Sequence, residues 1–409
     1  MYRTTLTYIL SRFLLYSEKK CITLHCKIAY MEYRHIFYDN IMADVMVSLF
    51  TAGSGTSECH AIINLRVDGR PFEQQLHDIY EAESRLRLEP GMEAMTPVMK
   101  RYFHSDVTNQ KPLMKEEDSC ACSSIQQPPL NGTKIGEWIY FVKEADVKKQ
   151  GNTVLVEHNG YTHIWNLGMQ CTEGGSYGQT RTLLESYEET LESLGANIAE
   201  NCIRTWFYVR DVDFQYTPMV VARRENFEFQ GLTKDTHFIA STGICGVPDS
   251  PKAIIQFGAY AIKGLESGQL QHIHGSSHLN PTHEYGVTFE RGTAIHYGDR
   301  DHVIISGTAS INNKGEVMHV GDVKKQTLRM WENVGVLLEE AGATYDDVMH
   351  LIVYLRDISD YPTVKPMFEE RFPDIPKIFT LAPVCRPQWL IEMECVAITK
   401  AENKGFKDF

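Results

Sequence analysis

Two carboxylates stand two residues apart near the end of the chain, in the run WLIEMECVAI that carries Glu392 and Glu394. The run alternates and reads as a strand, and strand residues two apart share a face. Glu392 and Glu394 therefore point the same way, and if both are desolvated each raises the other's pKa. A carboxyl that keeps its proton near neutral pH is a general acid. Such an acid acting on an anionic substrate needs cations beside it, and the planar fork of arginine suits carboxylates best. Arg386 follows Cys385, Arg291 lies in EYGVTFERG after Tyr285, and Arg223 and Arg224 follow Tyr216. Cys385 is a pocket-lining candidate; no His at a motif spacing accompanies it to make it a nucleophile.

Other chemistries find less support. The stretch HIHGSSHLNPTHEYG (272–286) holds four histidines, but no carboxylate or cysteine pattern completes a metal site, and it reads as a linker or lid between modules. Gly53 and Gly55 make no dinucleotide fingerprint, and there is no Walker motif. Neither a metal nor a cofactor is expected. Acidic residues outnumber basic ones, 53 to 40, for a formal charge of −13. Such a surface repels phosphate backbones, so nucleic acid is not an expected partner. No apolar run approaches the ~18 residues that span a membrane, and none is expected. Ten cysteines without a C-x-x-C give no disulfide framework, which predicts a reducing, cytoplasmic setting.

The elements that must position these residues recur along the chain. Residues 187–216 and 332–361 share one pattern: an amphipathic helix ending at a glycine step (Gly195, Gly342), a β-rich run, then Arg-Asp (Arg210-Asp211, Arg356-Asp357) and a nearby Tyr. Alternating hairpins precede both, with Asn159-Gly160 and Gly298-Asp299 at their tips, and the strands 254–262 and 390–398 close them. A weaker copy lies upstream: a strand at 61–69, a helix at 71–88, VMKRYFHSD (98–106) and a closing strand at 134–142. The predicted modules are 42–146, 147–270 and 271–409, after an N-terminal extension over 1–41, and 107–130 reads as a loop. Each is α+β, a sheet with helices on one face. By this repeat the counterparts of Glu392 are Gln256 and Glu137. Gln cannot donate a proton as an acid, so the clefts are not equivalent.

The stretch from ISGTASINNKGEVMHVGDVKKQ through LIVYLRD to EMECVAI resembles the RidA/YjgF superfamily, also labelled L-PSP endoribonuclease. The likeness covers about 285–400 well, 150–262 more loosely and 42–146 weakly. It implies a chorismate-mutase-like fold that forms trimers with ligand clefts between subunits. Three modules in one chain would then build an intrachain pseudo-trimer, or join a homo-oligomer. The tandem layout and VCRPQWLIE (384–392) also resemble the chorismatases. The resemblance implies Glu392 as acid or water-orienting group. It makes Tyr285, Ser306, Gly307 and Arg291 cleft-lining positions, and matches Lys377, after Ile375-Pro376, to the family's carboxylate-binding Arg. Arg223 and Tyr216 of module two would reach the same cleft, beside Cys385 and Arg386. The expected function is chorismatase-like hydrolysis of an enol ether on a small anionic metabolite. The alternatives are 2-imino-acid deamination and a non-catalytic role binding a metabolite or partner protein.

Overall fold

The computed structural model describes residues 30–409 apart from 54–55, 67–68 and 118. Three six-stranded sheets follow one another along the chain. The first comprises β1 (Met31–Tyr38), β2 (Ala43–Phe50), β3 (Glu58–Leu65), helix α1 (Phe72–Leu86), β4 (Met95–His104), β5 (Ala121–Gln126) and β6 (Ile135–Lys143). The second comprises β7 (Asp146–Gln150), β8 (Thr153–His158), β9 (Tyr161–Gln170), α2 (Gly175–Ser193), β10 (Cys202–Val209), α3 (Val212–Phe229), β11 (Ala240–Cys245) and β12 (Ile255–Lys263). The third comprises β13 (Leu270–Ile273), β14 (Gly292–His296), β15 (Arg300–Ala309), α4 (Val323–Glu340), β16 (Val348–Leu355), α5 (Tyr361–Arg371), β17 (Lys377–Leu381) and β18 (Ile391–Lys400). Strand order is the same in all three: β1-β2-β3-β6-β4-β5, β7-β8-β9-β12-β10-β11 and β13-β14-β15-β18-β16-β17. In each, the last pair named is parallel, as a crossover connection allows, and the other pairings are antiparallel. The fold is α+β, three tandem modules forming a pseudo-trimer.

The repeat read from sequence has a structural meaning. Gly195 and Gly342 end α2 and α4 at φ +68° and +73°, the left-handed cap that glycine takes without strain. Arg210 and Arg356 leave β10 and β16 at matching places, their amides donating to Ile254 and Leu390 just ahead of β12 and β18. Two expectations fall differently. Residues 1–29 lie outside the described residues, but β1 lies inside the stretch expected to be an extension and pairs with β2 along its whole length. The expected loop over 107–130 contains β5, which pairs with β4 in parallel. Both strands are short of a clean apolar alternation, and pairing supplies what their own sequence does not.

Each sheet has two buried faces. Helices cover one: Phe72, Leu76 and Ile79 of α1 pack with Ile63, Ile139 and Phe141, and Leu184, Tyr187 and Leu191 of α2 with Phe207 and Phe257. The other faces turn toward one another, joining Phe103, Trp138, Trp206, Tyr208, Ile352 and Tyr354 from all three modules in one core. The fifth strand of each module along the chain (β5, β11, β17) meets the third strand of the next module (β9, β15, β3) in a closed cycle. At the first boundary Gln256 Nε2, on β12 beside β9, donates to Ser123 Oγ (2.9 Å); Ser241 N donates to Ser306 Oγ (2.9 Å) at the second, and Asn64 Nδ2 to Lys377 O (3.2 Å) at the third. No helix among the described residues is long and apolar enough to cross a membrane.

Candidate functional site

Glu392 is the second residue of β18, the strand held between β15 and β16, where it faces Ala309 and Tyr354. Its side chain lies on the inner face and is 5% exposed. The register of β15 shifts between Ile305 and Thr308, and Gly307 sits in that irregularity. A Cβ there would meet Glu392 Oε1, so any larger residue would displace the carboxyl from this place. Burial, reinforced by the Glu394 charge, pushes Glu392 up to about 8, against the pull of Arg204 and Arg291. Glu394 also resists ionisation through burial, but Arg204, Arg101, Thr242 and Trp206 outweigh that and hold it below the usual carboxylate range. The pair on one face thus divides into a neutral acid and a fixed anion.

Glu392 opens on a cavity of about 360 Å³ between modules two and three. Module two supplies one wall from α3 and β11, including Tyr216, Val220, Arg223 and Ser241; module three supplies the other, including Phe289, Arg291, Gly307, Cys385, Arg386 and Trp389. Arg223 is 1% exposed, reaches Ser241 Oγ at 3.4 Å and lies 5.5 Å from the Phe207 ring. Arg291 donates to the Asn280 carbonyl (3.0 Å) and lies over Phe289; Arg386 lies over Trp389. Aromatic faces and neighbouring carbonyls thus hold these guanidinium groups in place while leaving them at the cavity wall. Burial, together with Glu392, pushes the Cys385 thiol up to about 12, and Tyr216 hydrogen-bonds to it. A thiol of that kind is a wall, not a nucleophile.

Eight of the residues singled out by sequence therefore meet here: Glu392, Arg291, Gly307, Cys385, Arg386, Arg223, Arg224 and Tyr216. Ser306 is adjacent but engaged: its hydroxyl donates to Glu290 O (2.6 Å) and accepts from Ser241 N. Tyr285 closes a single 3-10 turn beside Gly286 of the wall, and its side chain lies outside the described residues.

Lys377 is elsewhere. As the first residue of β17 it faces module one, and its ammonium donates to the Phe372 and Ile375 carbonyls at 2.7 and 3.1 Å. The reason is cyclic: a module's fifth strand lines the next module's cleft, so the strand serving Glu392 is β11. In register, Lys377 opposes Leu351, three residues before Tyr354, and Ser241 opposes Thr205, three before Tyr208. Ser241 therefore holds the place in this cleft that Lys377 holds in the next, and Arg223 reaches it from α3. Nothing local in the sequence marks Ser241, Thr242 or Val220; only the inter-module register brings them in.

The repeat equivalents also need one correction. Gln256 faces Tyr208 on the inner face, as Glu392 faces Tyr354. In module one the residue facing the equivalent Phe103 is Gly136. Glu137 is one pleat away, on the helix-covered face, where burial and Glu83 push its carboxyl well up. A one-residue slip exchanges the faces of a strand, and the Tyr102–Glu137 pairing imitates the true one. Among the described residues no group of three His, Cys, Asp or Glu is placed to hold a metal ion. Of the four-histidine stretch, His274 pairs with Glu290 (3.2 Å) and His272 stacks on His237.

The Endoribonuclease L-PSP family profile matches residues 292–399. A RutC family protein of Pyrococcus abyssi is 36% identical over 98 residues, 23% of this chain and 76% of that protein. The 3-aminoacrylate deaminase RutC of Acinetobacter baylyi is 32% identical over 97 residues, 23% of this chain and 77% of that protein. Among solved structures, a chorismatase superposes with a TM-score of 0.59 at 19% identity, covering 76% of this chain and 95% of its own, a likeness of fold. Sequence likeness through module three and fold likeness across the modules lead to one assignment: the chain belongs to the RidA/YjgF (L-PSP endoribonuclease) superfamily, as a tandem, chorismatase-like member in architecture.

Proposed function

We propose that this protein is an enzyme that hydrolyses the enol ether of a small polycarboxylate, as a chorismatase does, with Glu392 as the acid. The observation that carries the reading is the meeting, in one cavity, of a buried protonated carboxyl with Arg223, Arg291 and Arg386 from two modules. The volume, about 360 Å³, suits a ring-sized metabolite. Arginines from opposite walls suit a substrate with more than one carboxylate. Phe289, Trp389 and Val220 suit its apolar body.

The step balances with one water. Glu392 gives its proton to the terminal vinyl carbon, whose C–H bond forms from the double-bond electrons and leaves an oxocarbenium ion. Water adds to the oxygen-bearing carbon of that ion, forming a hemiketal, and returns a proton to Glu392. The hemiketal C–O bond then breaks, giving pyruvate and the free alcohol. Arginine-held carboxylates fix the vinyl carbon against the acid, and a positioned acid contributes about 10²–10⁴-fold.

The likeness of module three to a 3-aminoacrylate deaminase supports a second reading, hydrolysis of an imine to a carbonyl and ammonia at the same carboxyl. Pyruvate release from chorismate, run beside ammonia release from freshly generated imino acids, separates the two. Pyruvate without ammonia supports the enol-ether reading; ammonia alone replaces it with the second; binding of either substrate without turnover leaves a binding protein.

A further inference from the structure

At the axis where the three inner faces meet, Glu394 accepts hydrogen bonds from two modules. Arg204 Nη2 donates at 2.7 Å, Trp206 Nε1 at 3.1 Å and Thr242 Oγ1 at 2.5 Å, all from module two. Arg101 Nη1 of module one donates at 3.2 Å. The Arg101 guanidinium is itself held over Trp138 and Trp206, 4.9 and 5.0 Å from the ring centres. All of these side chains are buried. Thr242 also accepts from Gly307 N at 2.9 Å, and Gly307 is the residue against which the Glu392 carboxyl lies. A continuous set of contacts therefore runs from Arg101 through Glu394, Thr242 and Gly307 to Glu392, although among the described residues none of module one lines the cavity.

We propose that Glu394 is a positioning residue for Glu392, anchored jointly by modules one and two, and that its fixed charge is what assigns the pair's proton to Glu392. This rests on reading Glu392 as the acid. Two carboxylates on one desolvated face do not both ionise at neutral pH, and the better-paired one takes the charge. Glu394 has two guanidinium donors, a hydroxyl and an indole. The groups facing Glu392 are Glu394 on its own strand, Arg204 on β10, Arg291 ahead of β14 and Tyr354 across the ladder. Arg223 and Tyr216 on α3, and Cys385 and Arg386 ahead of β18, share its cavity. Those nearest in charge, Arg204 and Arg291, favour its ionisation; Glu394 opposes it.

The test titrates the Glu392 carboxyl by ¹³C NMR, assigned with E392Q, in wild type, E394Q and E394Q/R101M. The double variant removes Arg101 together with Glu394, so that one buried guanidinium, Arg204, is left at the site in place of two. In both variants Glu392 should ionise about one to three pH units lower than in wild type. Turnover lost at neutral pH should return as the pH is lowered, a rescue that a merely structural role would not give. The proposal is overturned if Glu392 titrates at its wild-type pH in either folded variant. The titration needs no substrate, so its outcome decides the proton's place even if no enol ether is hydrolysed.

Discussion

Glu392 binds its proton more tightly in the folded chain than in the unfolded one, because burial and Glu394 disfavour its charge. The folded value of about 8 lies above the ordinary 4.5, so the contribution to stability is full below pH ~4.5 and is lost as pH rises through ~8. Across that window the loss is on the order of 5 kcal/mol. Glu392→Gln has no such loss, so its stability relative to wild type should climb between pH 5 and pH 9 in urea titrations; parallel curves would contradict the buried, protonated acid. Lys377 behaves differently. Burial lowers its amine to about 8, and its donors go to the carbonyls that follow α5. Lys377→Met should destabilise the chain by roughly 1–3 kcal/mol through the orphaned carbonyls and leave kcat and KM at the Glu392 cavity unchanged. A raised KM with unchanged stability would return Lys377 to the substrate. The residue types of the site were legible in sequence, since Glu392, Arg386 and Cys385 stand within eight residues. Ser241 was not, because a serine acquires its place only from the register between modules.

At the scale of elements, the helix–glycine–strand–Arg-Asp pattern was legible because each part obeys a local rule of periodicity or capping. Pleat parity was less so. Assigning Glu137 to the inner face required knowing its register to one residue, and only the ladder with β4 settles that Gly136 stands there. Strands β1 and β5 were missed because their burial comes from neighbours. β1 pairs with β2 throughout, and Tyr33 Oη donates to Val348 O of module three at 2.8 Å. A chain beginning at Tyr30 keeps β1 and serves as the reference for a shorter one. One beginning at Met42 should melt at lower temperature and associate through the bared edge of β2. Identical melting of the two shortened chains would show that β1 adds nothing to the fold.

At the scale of the molecule, the three modules occupy the three places of a pseudo-trimer but are not interchangeable. The position of Glu392 is Gln256 in module two and Gly136 in module one, so one boundary of three presents an acid at this position. The other two modules hold that boundary together: Arg101 and Arg204 meet on Glu394, and their inner faces share one core. Burial of charge at a common centre couples the modules, since breaking one boundary strands an ion in the core. Calorimetry should therefore give a single cooperative transition for the whole chain, and separate transitions for separate modules would contradict the shared centre. The net charge of −13 does not weaken this picture, because the cations that matter are buried at the boundary and the axis.

The most direct measurement is pyruvate release from chorismate by wild type and Glu392→Gln, made on samples whose melting and ligand binding are also recorded. Wild type should release pyruvate and the variant should do so about 10²–10⁴-fold more slowly, with the fold and binding retained. Equal rates in the two proteins would contradict the assignment of Glu392 as the acid.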